Sequence, residues 1–326
     1  MNTASVKEKP EKTLIGKDLL TLSAYSAGEV QYILDLAATL KEYHKKERPT
    51  ELLKGKMLGM IFAKPSTRTR ISFEAGMFQL GGSAMFLKEE DMQLSRGESI
   101  ADTAKVLSGY LDGIMIRTFS QEMVEELAAH ASIPVINGLT DLYHPCQALA
   151  DLLTIEENKG SLVGLKITYI GDGNNVSHSL LIAAAMMGMD IAVATPPGCE
   201  PSHAVVQQAK KLAAASGGKV TVTNDAFSAV FKADAVYTDV WTSMGQEGKD
   251  KNELFSKFQV NQKMMHEAKP DAIFMHCLPA HRGQEVASEV MDSKQSAVFQ
   301  QAENRLHAQK ALLAILLGGH PEKLHA

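Results

Sequence analysis

From residue 57 to residue 276, apolar runs of strand length alternate with segments of helical period, and this alternation leaves few folds open. The runs are 57–62 (MLGMIF), 84–87 (AMFL), 112–117 (DGIMIR), 133–136 (IPVI), 165–170 (LKITYI), 190–194 (DIAVA), 219–223 (KVTVT), 234–238 (DAVYT) and 271–276 (DAIFMH). Helical patterns fill 28–43, 69–80, 99–110, 120–130, 146–157, 176–187, 202–215 and 303–317. In the last, Leu306, Lys310, Leu313 and Leu317 recur at three to four residues. Strands that alternate with helices imply parallel sheets covered on both faces. Nine strands are many for one doubly wound sheet but comfortable for two of four and five. The polar, glycine-containing stretch EENKGSLVG, residues 156–164, is the natural divide. The expected fold class is therefore α/β: two doubly wound domains with parallel sheets facing across a cleft. A flexible tail over residues 1–13 is expected to precede them. Ligands of such sheets sit beyond the carboxyl ends of the strands.

The net charge of −5 provides no global basic field for nucleic acid or a membrane surface, so a bound anion must be held by a local cluster. Cys146, Cys199 and Cys277 are too few and too scattered for a disulfide framework and fit a reducing compartment. The start MNTASVKEKPEKT has no apolar core and no arginine, and the longest apolar run, ALLAILLGG, is far short of a membrane span. A cytoplasmic protein is expected.

Four strand-end loops carry chemistry. After strand 57–62 comes KPSTRTR, where Lys64, Arg68 and Arg70 crowd together with Ser66, Thr67 and Thr69. Pro65 suits a helix start and Ser66 or Thr67 an N-cap, while free backbone N–H groups and the helix dipole there attract an anion. Arg68 adds a bidentate fork. The alternative is a solvated basic turn whose arginines pair with Glu74 and other acids. No GxxxxGK[ST] loop is present. A second loop begins at Arg117, which ends the run DGIMIR. In LYHPCQALAD, His144 precedes a proline and a helix, with Gln147 one turn in; a histidine there tends to stay neutral and can donate to a carbonyl. IFMHCLPAHRG places Cys277 and Leu278 directly after a buried strand.

STRTR after a strand, HPCQ opening a helix and HCLP after a late strand together resemble the aspartate/ornithine carbamoyltransferase superfamily, over residues 14–318 and in the expected order. DVWTSMG (239–245) and GDGNNVSHS look like loops of its ornithine-type branch; the aspartate type carries HPLPR where this chain has HCLP. The resemblance implies a carbamoyl-phosphate-binding domain over 14–158, completed by a C-terminal helix 303–318, and an ornithine-binding domain over 159–302. It implies transfer of the carbamoyl group of carbamoyl phosphate to the side-chain amine of L-ornithine, giving L-citrulline and phosphate. A related amine acceptor is the alternative.

By the same resemblance, Ser66, Thr67, Arg68, Thr69 and Arg117 hold the phosphate. Arg117, His144 and Thr69 approach the carbonyl oxygen, Gln147 and the Leu278 carbonyl hold the carbamoyl NH2, and Arg305 is a further contact. Gln93, in DMQLSRGES, matches a carbamoyl phosphate ligand that reaches into a neighbouring subunit's site, which implies a homotrimer or an assembly of trimers. Asn175, Asp239, Ser243 and Met244 contact ornithine. Cys277 lies beside its side-chain amine and touches the carbamoyl phosphate site, without acting as a covalent nucleophile. Arg68, Arg117, His144 and Cys277 are the expected catalytic residues, with Lys64 as electrostatic support. No cofactor is implied.

Three rivals remain. GDGNNV opens like a dinucleotide loop, but Val176 stands where the third glycine of GxGxxG belongs, which weakens an NAD-dependent dehydrogenase. His276, Cys277 and His281 could be imagined around zinc; strand alternation should point His276 and Cys277 apart, and no fourth ligand is evident. A binding module without turnover would tend to have lost Arg117 or His144, and both are present.

Overall fold

The computed structural model describes residues 14–242, 252–321 and 324. Among them are nine strands: β1 Met57–Phe62, β2 Ser83–Lys88, β3 Gly113–Arg117, β4 Val135–Leu139, β5 Lys166–Ile170, β6 Asp190–Ala194, β7 Val220–Thr223, β8 Ala235–Thr238 and β9 Ile273–His276. The longer helices are α1 Ala27–Lys45, α2 Thr67–Gln79, α3 Ile100–Ser108, α4 Gln121–His130, α5 Pro145–Lys159, α6 Asn175–Met186, α7 His203–Ser216 and α8 Val298–Leu316. Every pairing between these strands is parallel, in one sheet of four and one of five. The α/β class and the division of nine strands into four and five agree with the sequence reading.

The chain falls into two compact units. One is built on residues 24–140, with the chain up to Leu20 and from Leu306 onward; the other is built on 141–305, with 21–23. By packing, the helix α5 groups with the second unit, against α6. The helix α8 begins at Val298 rather than 303; it belongs to the second unit through Arg305 and to the first from Leu306.

In the first unit the strand order is β2-β1-β3-β4. The central strands β1 and β3 are almost wholly buried, whereas the edge strand β2 is exposed at Ser83, Met85 and Lys88. Ile61, Ile114, Ile116, Val124, Leu127 and Val135 form a core on one face of this sheet. Each such side chain contributes about 2 kcal/mol by leaving water. Strand order reverses between β1 and β3, and Phe62 lies opposite Arg117 in their register. The loops leaving both strands therefore emerge side by side.

The second unit has the order β7-β6-β5-β8-β9 and reverses between β5 and β8, where Ile170 lies opposite Thr238. The loop after β5 runs so close to the chain at 200–201 that a Cβ on Gly173 would sit 2.3 Å from the Pro201 nitrogen. Gly171, at φ +147°, lies in a region that favours glycine. Backbone crowding and conformation thus account for both glycines without a dinucleotide.

One buried lysine gives a stability prediction. Lys310 on α8 is 1% exposed, lies along Gly76 of α2 and donates to Gln79 Oε1 at 3.0 Å. Burial pushes its pKa down from 10.5 to about 8. Below pH 8 the fold carries a desolvated ammonium, and that penalty is released as pH rises from 8 towards 10.5. Lys310→Met should therefore raise stability at pH 7 by about 1 kcal/mol, the gain shrinking above pH 8. Urea unfolding at pH 7 and pH 10 checks this.

Candidate active site

Each half of the predicted site is built at the carboxyl ends of its own sheet, beside the point where the strand order reverses, the usual ligand position in open α/β sheets. In the first unit, Ser66 is the N-cap of α2: its Oγ accepts the Thr69 N–H at 3.3 Å and bonds Thr69 Oγ1 at 3.1 Å. No acidic residue occupies the first turn of this helix, so its positive end is not neutralised from within. Thr67 is exposed, Arg68 half-buried and Thr69 buried in that turn. Arg70 points elsewhere: its Nε donates to Glu74 at 3.0 Å, and its guanidinium covers the Phe86 ring at 4.1 Å. Lys64 is buried with its ammonium 3.8 Å from the Phe119 ring centroid. Arg117, buried at the end of β3, accepts the Ala63 N–H on its own carbonyl at 2.9 Å, which ties the two loops together. Gln93 opens a 3-10 turn, Gln93–Arg96, after edge strand β2 and is exposed.

In the second unit, His144 precedes Pro145 at the start of α5, and its side chain makes no capping bond, so a simple capping role is excluded. The helix α6 holds this loop from behind. Ser179 Oγ accepts the His144 N–H at 2.7 Å. His178 Nε2 lies 2.9 Å from the Ser202 N–H, which can only donate; Nδ1 therefore carries the hydrogen and donates to the Leu142 carbonyl at 2.9 Å. Burial holds His178 below the usual histidine range, in keeping with this neutral ring.

Gln147, Asp151, Gln301 and Arg305 form one buried cluster. Arg305 Nη1 donates to Gln147 Oε1 at 2.8 Å, Gln147 Nε2 to Asp151 Oδ1 at 2.8 Å, and Gln301 Nε2 to the same oxygen at 2.7 Å. Burial pushes the Asp151 carboxyl up to about 7.

Asp239 follows β8 and is buried. Its Oδ2 accepts Asn174 Nδ2 at 2.9 Å and its Oδ1 the Cys277 thiol at 3.0 Å. Asn174 caps α6, taking the N–H groups of Val176 and Ser177 on its Oδ1. Asn175 stands next in the chain, half-buried. Burial first, and then the Asp239 charge, push the Cys277 thiol well above its ordinary value. It stays protonated and is a poor nucleophile. Cys277→Ser keeps a donor for Asp239 and should retain at least about a tenth of kcat, whereas losing a covalent nucleophile costs about 10⁴-fold or more. Steady-state kinetics decides between them. Ser243 and Met244 lie outside the described residues.

Leu278 has φ +60°, unusual for a branched side chain, and its N–H donates to His276 Nδ1 at 2.8 Å. His276 Nε2 then donates to the buried Glu285 carboxylate at 3.2 Å, which also accepts the His281 N–H at 2.5 Å. The sequence expectation that His276 and Cys277 point apart is not met. The strand stops at His276, so alternation no longer applies, and the ligand atoms of Asp239, His276 and Cys277 lie within 4.8 Å of one another. Both nitrogens of His276 and both oxygens of Asp239 are, however, engaged in hydrogen bonds, and a cation would have to break them.

Motif reading reached the residues at the strand ends but missed Asn174, Asp151, His178, Ser179, Gln301 and Glu285, which hold them. Only Asn174 carried a local signal, as an N-cap residue before a helical pattern.

Residues 17–157 match the carbamoyl-P binding domain of aspartate/ornithine carbamoyltransferase, and residues 163–316 match its Asp/Orn binding domain. The chain belongs to the aspartate/ornithine carbamoyltransferase family. Among its relatives, an ornithine carbamoyltransferase from Oceanobacillus iheyensis is 60% identical over 94% of this chain and 96% of its own length. One from Bacillus subtilis is 58% identical over 96% of this chain and 98% of its own. The solved ornithine carbamoyltransferase of Pyrococcus furiosus superposes with a TM-score of 0.92 at 55% identity, covering 94% of this chain and 98% of that one. No helix among the described residues is long and apolar enough to cross a membrane.

Proposed function

We propose that this enzyme transfers the carbamoyl group of carbamoyl phosphate to the side-chain amine of L-ornithine, forming L-citrulline and phosphate, as a cytoplasmic step of arginine biosynthesis. Full-length relatives named ornithine carbamoyltransferase support the reaction, and a Pyrococcus furiosus relative named as anabolic supports the direction.

The observation that carries the reading is the chemistry at the two reversal points. The first sheet offers an acid-free helix start with Ser66, Thr67, Arg68 and Thr69, beside Arg117, which suits a phosphate dianion. The second offers the Asp239 carboxylate bonded to a neutral thiol, which suits an ammonium near an amine that must lose its proton. Arg68 would clamp the phosphate, while Arg117, Thr69 and His144 would donate to the carbonyl oxygen as it gains charge; one such donor is typically worth about 3–4 kcal/mol. Gln147 and the Leu278 carbonyl would hold the carbamoyl NH2, and Arg305 would add charge. Asp239 would bind the α-amino group of ornithine, with Asn175, Ser243 and Met244 at the remaining atoms and Cys277 beside the side-chain amine. Phosphate can itself take up the proton released, so no separate base is needed. On this reading residues 14–158, with the last helix, serve carbamoyl phosphate and residues 159–302 serve ornithine.

Gln93 would serve a neighbouring copy in a homotrimer. Ile71 and Phe78 on α2 and Met85 on β2, at 57%, 81% and 47% exposure, give the first unit apolar surface for such a contact.

A colorimetric ureido assay offering ornithine, aspartate, putrescine and N-acetylornithine side by side tests the proposal. Product with ornithine alone is expected. Product with another acceptor would overturn the assignment of the second half-site, and no product with any would overturn the function.

A further inference from the structure

Asp151 is the buried acid that the proposed chemistry leaves without a task. It is 0% exposed, and it is held by the amides of Gln147 and Gln301 and by the Tyr237 hydroxyl rather than by a bonded cation. A carboxyl in such a place is costly, and an apolar side chain of the same volume would pack as well. Its neighbours suggest why an acid stands there.

Two pairs spaced four residues apart, Gln147 and Asp151 on α5 and Gln301 and Arg305 on α8, bond into one cluster across 150 residues of sequence. Two groups that can only donate reveal how both amides are turned. The Arg305 guanidinium faces Gln147 Oε1 at 2.8 Å, which leaves Gln147 Nε2 towards Asp151. The His276 N–H faces Gln301 Oε1 at 2.9 Å, which leaves Gln301 Nε2 towards Asp151 and the Tyr237 hydroxyl. One oxygen, Asp151 Oδ1, thus receives both amide N–H groups. An acceptor at this point keeps Gln147 from rotating its NH2 outward and its oxygen inward. The same acceptor, through Gln301, steadies the backbone of His276 just before Cys277 and Leu278.

We propose that Asp151 is a positioning residue that sets which end of the Gln147 amide is presented to the carbamoyl group. Gln147 Oε1 then faces donors, Arg305 now and the carbamoyl NH2 in the complex. The inference rests on the reading of Gln147 as a carbamoyl contact. The bond pattern needs an acceptor and not a charge, and a carboxyl titrating near 7 supplies one in either protonation state.

The test is a double-mutant cycle with the full-length enzyme, read as kcat/KM for carbamoyl phosphate, KM for ornithine and melting temperature. Gln147→Ala should lower kcat/KM for carbamoyl phosphate by about 30-fold. Asp151→Leu should lower it comparably, with ornithine KM moved less than about threefold, while Asp151→Asn, which can turn its oxygen to both amides, should stay within about threefold of wild type. Adding Asp151→Leu to Gln147→Ala should cost less than about twofold more. An additive double mutant, or an Asn variant as poor as the Leu variant, would overturn the proposal. If Gln147→Ala alone changed nothing, the reading of Gln147 would be what failed. Should the Leu variant not fold, Asp151→Glu, which shifts the acceptor by one methylene, replaces it in the same cycle with the same expected loss.

Discussion

Arg68→Ala is expected to raise KM for carbamoyl phosphate and lower kcat together, cutting kcat/KM by about 10²- to 10³-fold, or roughly 3–4 kcal/mol. Its place decides this size. Arg68 is in the first turn of α2, where Ser66 caps the helix and no acid offsets the dipole, so an anion there meets fixed N–H groups and a guanidinium fork. A bidentate fork binds the ground-state phosphate and holds it as it leaves, so both kinetic constants move. Arg70, two residues on, is the control within the same motif. It pairs with Glu74 on the helix surface and covers Phe86. Exposed pairs of this kind are worth about 0–1 kcal/mol, so Arg70→Ala should change kcat/KM less than about fivefold. Equal losses for the two variants would mean that STRTR acts only as diffuse positive charge.

The contrast between the two arginines shows where legibility ended. The sequence stretch KPSTRTR announces a helix start with basic side chains, and both features are present. Which arginine turns inward depends on Glu74 and on Phe86 of the neighbouring strand, and Phe86 becomes relevant only once β2 is paired with β1. The nine strands were legible because continuous apolar runs are what parallel sheets need on both faces. Short helices such as Ala226–Val230 and Ser288–Met291 were not, since four or five residues cannot display a period of 3.6. The packing of α5 is hard to read from sequence for a related reason. All its residues from Pro145 to Ile155 are buried, so that stretch has no exposed face to tell which sheet it serves.

The same logic separates the residues at the site from those behind them. His144, Gln147, Asp239 and Cys277 sit beside strand ends, where a motif marks them. Asp151 in HPCQALAD reads as an ordinary helix acid until Gln301, 150 residues later, donates to it. Alternation does not set His276 and Cys277 apart, because β9 ends at His276. Residues held by tertiary partners leave no periodic trace, and only packing exposes them.

Asp239→Asn is the second large effect, and its signature should be the mirror of the first: kcat/KM for ornithine falls by about 10²- to 10³-fold while KM for carbamoyl phosphate moves less than about threefold. The carboxylate oxygens accept from Asn174 and from the Cys277 thiol, so an asparagine must turn an N–H toward one of two groups that already donate. The substitution thus removes the charge that would pair with the α-amino group and disturbs the oxygen nearest the thiol. It also has a readout independent of turnover. Burial is the larger cause of the raised Cys277 pKa and Asp239 the next, so the variant's thiol should titrate lower than the wild type's but still above the ordinary range. Alkylation of that thiol by iodoacetamide across pH, with Cys146 and Cys199 replaced, measures this. A lowered thiol pKa with ornithine kinetics unchanged would keep the electrostatics of the pair and remove Asp239 from the amine site. Loss of ornithine kinetics with the thiol unmoved would mean that the carboxylate meets the substrate but does not control Cys277.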